Sequence, residues 1–130
     1  MRIEVAAAII HNKEGQVLIA RRKPGKAQAG LWEFPGGKLE AGEDAVQCLR
    51  RELMEEMRIA IRPYEALGSH EHDYGSVQIT LVAWKAEYLG GEIALSDHDA
   101  CRWVERGELA EYDFAPADIP FVERLRKELC

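Results

Sequence analysis

The chain has 130 residues, 47% of them apolar and 31% charged, the balance of one soluble globular domain spanning 1–130. Its formal net charge of −6 argues against a broad docking surface for duplex DNA or RNA, but leaves room for a small anionic substrate held through a metal. Cys48, Cys101 and Cys130 are odd in number and form no C-x-x-C pair, so neither a disulfide framework nor a zinc site follows, and a reducing, cytoplasmic compartment fits best. The apolar run at 5–10 is too short for a signal peptide or a membrane span.

Residues 3–10 are β-branched and alanine-rich and predict a strand. The polar stretch 11–16 predicts a turn, and 17–22 a second strand, so that 3–22 reads as a hairpin. Pro24, Gly25 and Gly30 mark 23–30 as a loop. Trp32–Pro35 runs extended into Gly36-Gly37, and a helix is expected from about 44 to 58. Beyond it, 62–72 and 77–88 predict two long strands around a turn at 73–76, with a further turn at Gly90-Gly91. A short strand at 100–104, a short helix at 105–112 and a final helix at 117–129 complete the chain. Strands, helix, strands, helix predict an α+β fold with a mixed sheet and helices on both faces.

The helix at 44–58 carries the chemistry. Glu52, Glu55 and Glu56 are spaced i, i+3, i+4, which gathers three carboxylates on one helical face. Taking Glu52 as zero, Glu55 falls at about 300° and Glu56 at about 40°, while Val46, Leu49, Leu53 and Met57 fall between about 60° and 140°. The acids therefore border the apolar stripe instead of occupying the outer arc with Gln47, Arg50, Met54 and Arg58. Like charges so close call for a neutralising cation, and carboxylate oxygens suit Mg2+ or Mn2+. Asp44 is the expected N-cap, with Gln47 as the partner in a variant capping box. Arg51 stands one turn before Glu55 and can pair with it. Cys48, inside the helix, reads as a small packing residue.

Gly37, Glu43, Arg51-Glu52-Leu53, Glu55-Glu56 and Ile59 stand in the register of the Nudix hydrolase signature. Arg58 departs from it where the signature has its last glycine. A non-glycine residue in a left-handed conformation there costs about 1 kcal/mol or somewhat more. The segment WEFPGGK at 32–38 also resembles MutT-type members of the family, and FAPADIP at 114–120 resembles the CTP-hydrolysing type, so the likeness covers nearly the whole chain.

The resemblance implies a Nudix fold, an α/β/α sandwich, and a Mg2+-dependent attack of water on a nucleoside triphosphate that yields the monophosphate and pyrophosphate. It implies a metal set of the Gly36 carbonyl, Glu52, Glu55, Glu56 and Asp97. Catalytic roles fall to Glu52, Asp97 and Arg51, with the general base open between Glu52 and Asp97. Arg22 matches an arginine on the substrate phosphates, and Lys38 is a second candidate there. Asp99 rivals Asp97 by proximity, and His98 reads as a plain loop residue. Phe34 and Pro116 would wall the base, and Asp118 would read its edge, against the alternative that Asp118 merely caps the last helix. A protonated Asp118 could both donate and accept.

Val77 and Gln78 stand where oxidised-guanine enzymes often have an arginine, so modified dCTP and 8-oxo-dGTP are both open as substrates. Tyr74 stands where ADP-ribose hydrolases carry a proline, which counts against that substrate and leaves dinucleoside polyphosphates as an alternative. A non-catalytic ligand-binding domain would ordinarily lack metal carboxylates, all of which are present. The expected partner is a small nucleotide, with no duplex nucleic acid and no membrane, for a monomer or homodimer.

Overall fold

The computed structural model describes residues 2–128 of the chain. Its strands are β1 (Arg2–His11), β2 (Val17–Arg22), β3 (Trp32–Glu33), β4 (Gly36–Lys38), β5 (Ala60–Asp73), β6 (Gln78–Gly90) and β7 (His98–Val104). Its α-helices are α1 (Ala45–Met57) and α2 (Ile119–Lys127), with 3-10 turns at Arg106–Glu111 and Pro116–Asp118. Among the described residues the strands form one mixed sheet in the order β3-β2-β1-β6-β5, with β4 on β1 and β7 on β2.

The pairing of β1 organises the sheet. It runs parallel to β6 from Arg2 opposite Gln78 to His11 opposite Glu87. The expected 3–22 hairpin is present, but β1 and β2 pair only beside its turn, His11 opposite Val17. Beyond that point β1 takes β4 as its antiparallel partner, with Ala6 opposite Gly37 and Ala7 opposite Gly36. The two long strands after α1 form the expected antiparallel hairpin, closed by Tyr74 N–H donating to the Val77 carbonyl at 2.9 Å.

Side-chain alternation divides the sheet into two buried faces. Ala6, Ala8, Ile10, Leu18 and Ala20 face α1 through Cys48, Leu49, Leu53 and Met57. Ala7, Ile9, Val17 and Ile19 face the opposite way, onto Phe121, Val122 and Leu125 of α2. One apolar stripe on each helix thus closes one side of the sheet, the layered α+β arrangement expected from the element order.

Several boundaries differ from the sequence-based expectation. β7 begins at His98 instead of 100, since it pairs with β2 past a bulge between Arg21 and Arg22. The stretch after it is a 3-10 turn, with Glu105 N–H donating to Glu108 Oε1 at 2.9 Å. The final helix starts at Ile119 because Pro116–Asp118 forms its own turn; the expected end at Leu129 lies outside the described residues.

Candidate active site

The acidic face of α1 is set by local chemistry. Gln47 N–H donates to Asp44 Oδ1 at 2.8 Å and Asp44 N–H to Gln47 Oε1 at 3.0 Å, closing the expected capping box. Cys48, Leu49, Leu53 and Met57 are the buried residues of the helix; Val46, expected in the apolar stripe, is only half-buried. Burial pushes the Cys48 thiol up to about 12, so it packs and does not act as a nucleophile. Arg58 adopts φ 57° and ψ 35° and its N–H reaches the Leu53 and Met54 carbonyls, so the left-handed exit forms without glycine.

Arg51 is the tie among the signature's acids. Its Nε and Nη2 donate to Glu43 at 2.7 and 2.9 Å, and its Nη1 to Glu52 at 2.8 Å. The expected pairing with Glu55 is present but longer, at 3.5 Å. Hydrogen bonding from Arg51 holds the Glu43 carboxyl down to about 2. Arg51 also donates to the Lys38 carbonyl at 3.3 Å, fastening α1 to β4. Gly37 matters for a reason the sequence does not show. A Cβ there would stand 2.3 Å from Glu52 Cδ, so the Glu52 carboxylate lies directly against the glycine backbone.

Glu52, Glu56 and Asp97 converge. Ala94 N–H donates to the Met57 carbonyl at 3.0 Å and Ser96 Oγ to the Glu56 carbonyl at 3.2 Å, drawing the loop before β7 onto the end of α1. Glu56 Oε2 is buried with no hydrogen-bond partner. Burial, then its neighbours Asp97 and Glu52, push the Glu56 carboxyl up to about 9. Asp97 is held below its usual range by Glu56 and by Lys26, whose Nζ lies 3.2 Å away. Glu55 is the outlier, with its side chain 60% exposed. Asp99 turns instead to Arg21 Nε at 2.7 Å, which separates it from this group and leaves Asp97 as the loop acid. His98 is no loop residue: it is buried in β7 with Nε2 2.8 Å from Glu33 Oε2.

A cleft of about 200 Å³ opens at Gly37, against which the Glu52 carboxylate lies. Gly36, Gly37 and Arg22 line one part, Phe34, Tyr74 and Asp118 another. Arg22 is steadied by Glu33 at 3.6 Å and by the Ala27 carbonyl at 3.2 Å. Pro116 is half-buried between the lining residues Ala115 and Ala117. Lys38 is exposed and outside the cleft wall. Asp118 occupies the N-cap position of α2 but makes no capping bond. It is buried in the cleft, where Phe34 N–H approaches its Oδ1 at 3.4 Å. Burial first, then the charge of Glu33, raise its proton affinity well above that of an ordinary aspartate. Glu33 was not singled out by sequence, although an acid between Trp32 and Phe34 was the available signal. The Tyr74 hydroxyl accepts the Ala117 N–H at 3.0 Å.

Among the described residues no three acids, histidines or cysteines are already gathered closely enough to enclose an ion. The donor chemistry nonetheless fits a hard divalent cation. Carboxylate oxygens are the correct ligands, and an orphaned Glu56 oxygen with a raised proton affinity is the mark of an acid group short of positive charge.

Comparison with known proteins gives concordant matches. A model of the NUDIX domain family matches residues 6–124. A CTP pyrophosphohydrolase of Escherichia coli is 42% identical over 93% of the chain and 89% of its own length. An 8-oxo-dGTP diphosphatase of the same species is 32% identical over 97% of the chain and 98% of its own length. The crystal structure of a MutT protein from Methanosarcina mazei superposes with a TM-score of 0.88 at 25% identity, over 98% of this chain and 94% of that one.

Proposed function

The chain belongs to the Nudix hydrolase family, and on that footing we propose that it hydrolyses nucleoside triphosphates to the monophosphate and pyrophosphate in a Mg2+-dependent reaction. One observation carries this reading: Glu52 meets Glu56 and Asp97 and lies against Gly37, at a cleft that holds Arg22 in one part and Asp118 with Phe34 in another. An acid group, an arginine and a buried hydrogen-bonding carboxyl match the metal, phosphate and base ends of one nucleotide.

The Gly36 carbonyl, Glu52, Glu55, Glu56 and Asp97 would hold the cation, with Mn2+ as a substitute. A bound divalent cation supplies an acidified water and offsets charge on the phosphoryl oxygens. The chain's own residues do the rest. Arg51 and Gly37 fix the Glu52 carboxylate. Glu52 is engaged by Arg51 at 2.8 Å and Asp97 by Lys26 at 3.2 Å, and the proton acceptor is one of these two. Arg22 meets the phosphates as a pre-oriented guanidinium.

Asp118 reads the base. Kept protonated, it presents one donor and one acceptor side by side, which complements the N3 acceptor and N4 amino donor of cytosine. The same pair also complements the O6 and N1 edge of guanine, so it is the CTP pyrophosphohydrolase relative that favours cytosine nucleotides or their modified forms over oxidised guanine. The reading entails a small nucleotide as partner, a cytoplasmic monomer or homodimer, and no membrane; no helix among the described residues is long and apolar enough to span one. With Mg2+, the purified protein is expected to release pyrophosphate from at least one triphosphate in a panel of canonical, oxidised and methylated nucleotides. Glu56→Gln should lower that rate by about 100-fold or more. Absence of release from the whole panel, or full activity in the variant, overturns the assignment.

A further inference from the structure

Asp118 reaches the cleft on a turn with few constraints of its own. The segment before it is zipped to β3, with Trp32 N–H donating to the Asp113 carbonyl at 2.8 Å and Ala115 N–H to the Trp32 carbonyl at 2.9 Å. The chain then leaves the sheet through the 3-10 turn Pro116–Asp118, closed by Asp118 N–H on the Ala115 carbonyl at 2.9 Å. Pro116 has no N–H to contribute, and the Asp118 carboxyl does not cap α2. Ile119 N–H bonds the Pro116 carbonyl and Phe34 N–H makes a long 3.4 Å contact to Asp118 Oδ1; the remaining anchor of the turn comes from a distant element. Tyr74 sits at the tip of the β5–β6 hairpin, and its hydroxyl accepts the Ala117 N–H at 3.0 Å. That tip is itself braced, by Tyr74 N–H on the Val77 carbonyl at 2.9 Å and by Gly75 N–H on Asp73 Oδ1 at 2.7 Å. The Tyr74 ring packs on His72, centroids 4.5 Å apart, and lines the same cleft as Asp118.

We propose that Tyr74 is a positioning residue for base selection: its hydroxyl, by holding the Ala117 amide, fixes the turn that aims the Asp118 carboxyl into the cleft. This rests on the nucleotide-hydrolase reading above and adds to it the element that sets specificity. The ring of Tyr74 fills the wall; the hydroxyl holds the turn, beside the long Phe34 contact to the carboxyl itself. A carboxyl that must place a donor and an acceptor on one base edge tolerates little rotation, and an unanchored turn supplies that rotation.

Tyr74→Phe removes the hydroxyl and keeps the ring, so the two roles separate. Dissociation constants for CMP, UMP, AMP and GMP are to be measured without divalent cation for the wild type, Tyr74→Phe, Asp118→Ala and the double variant. Turnover of the triphosphates with Mg2+ is scored separately on the wild type. Tyr74→Phe is expected to compress the ratio between the best and worst base by about 5- to 10-fold, the worth of one hydrogen bond. In the Asp118→Ala background it should compress the ratio no further, since the two act as one unit. The Ala117 amide should exchange with solvent deuterium about tenfold faster in Tyr74→Phe.

An unchanged base ratio in Tyr74→Phe overturns the inference. So does an equal loss in the Asp118→Ala background, an Ala117 amide whose exchange does not move, or a wild type that binds all four bases alike. Failure of the wild type to hydrolyse any triphosphate is a different result: it strikes the functional reading, whereas the binding ratios and the Ala117 exchange strike the inference.

Discussion

A methyl group added at Gly37 would stand 2.3 Å from Glu52 Cδ, whereas one added at Gly36 would stand 1.9 Å from the Ala6 carbonyl oxygen. The first obstacle is the end of a side chain and can move; the second is backbone within the β1–β4 pairing and cannot. Gly37→Ala is therefore expected to keep the fold and its melting temperature but lose about 100-fold in kcat, as the Glu52 carboxylate is driven from its seat. Gly36→Ala should instead cost about 3 kcal/mol or more of stability, by overpacking a strand pair with no room to relax. Urea denaturation beside pyrophosphate release separates the two. Asp118 carries a different signature. Its proton affinity is raised in the folded state, above all by burial. Below the unfolded aspartate range both states hold the proton and the group contributes nothing to pH dependence. As pH rises from there towards the folded value, only the native state stays protonated, so stability falls with pH. Asp118→Asn is expected to flatten this decline and to be the more stable protein at neutral pH, as read by thermal unfolding across pH 4 to about 8.

At the scale of elements, α1 shows how much the sequence discloses and where it stops. Its start follows from Asp44 and Gln47, its buried face from the spacing of Leu49, Leu53 and Met57, and its acids from their place beside that face. All of this is local, encoded within a few turns of one helix. The exit is local too: Arg58 takes φ 57°, the conformation for which the family's signature provides a glycine. Arg58→Gly should stabilise the protein by about 1 kcal/mol, seen as a higher urea midpoint with an unchanged slope. What the sequence does not disclose is long-range. Nothing in the alternation of 2–11 says that it pairs in parallel with 78–87. Nothing near His98 says that its partner is Glu33, sixty-five positions away. Asp118 looks like a helix cap because the residues after it form a helix; that its side chain turns inward depends on Phe34 and on burial from β3 and the β5–β6 hairpin.

For the whole molecule, the sheet separates the work of its two helices. α1 closes one face and presents the acids at its edge; α2 closes the other and follows directly from the turn that bears Asp118. The cleft is floored by Val5, Ala6 and Ala7 of β1 and by Gly36 and Gly37 of β4, so the β1–β4 pairing joins the chemical end to the base end. The family signature made the chemical end legible because its residues are contiguous. The base end is assembled from β3, a hairpin tip and a turn near the C-terminus, and no contiguous motif spans it. The division also predicts how a cation acts on stability. A net charge of −6 includes acids crowded at Glu52, Glu56 and Asp97, and that crowding opposes folding. A divalent cation that binds only the folded acid group stabilises by RT ln(1 + [L]/Kd), about 2.7 kcal/mol at 100-fold excess over Kd, which is a rise of roughly 5 to 15 °C for a domain of this size. The melting temperature should climb with the logarithm of Mg2+ concentration, and sodium at matched ionic strength should not reproduce the climb. Glu56→Gln should remove most of the dependence while leaving the protein folded without added cation, since an amide relieves the crowding that the carboxylate creates. Differential scanning calorimetry over a Mg2+ series reads both slopes. Equal slopes in the two proteins would show that the cation stabilises through the general acidic surface and that Glu56 is not among its ligands.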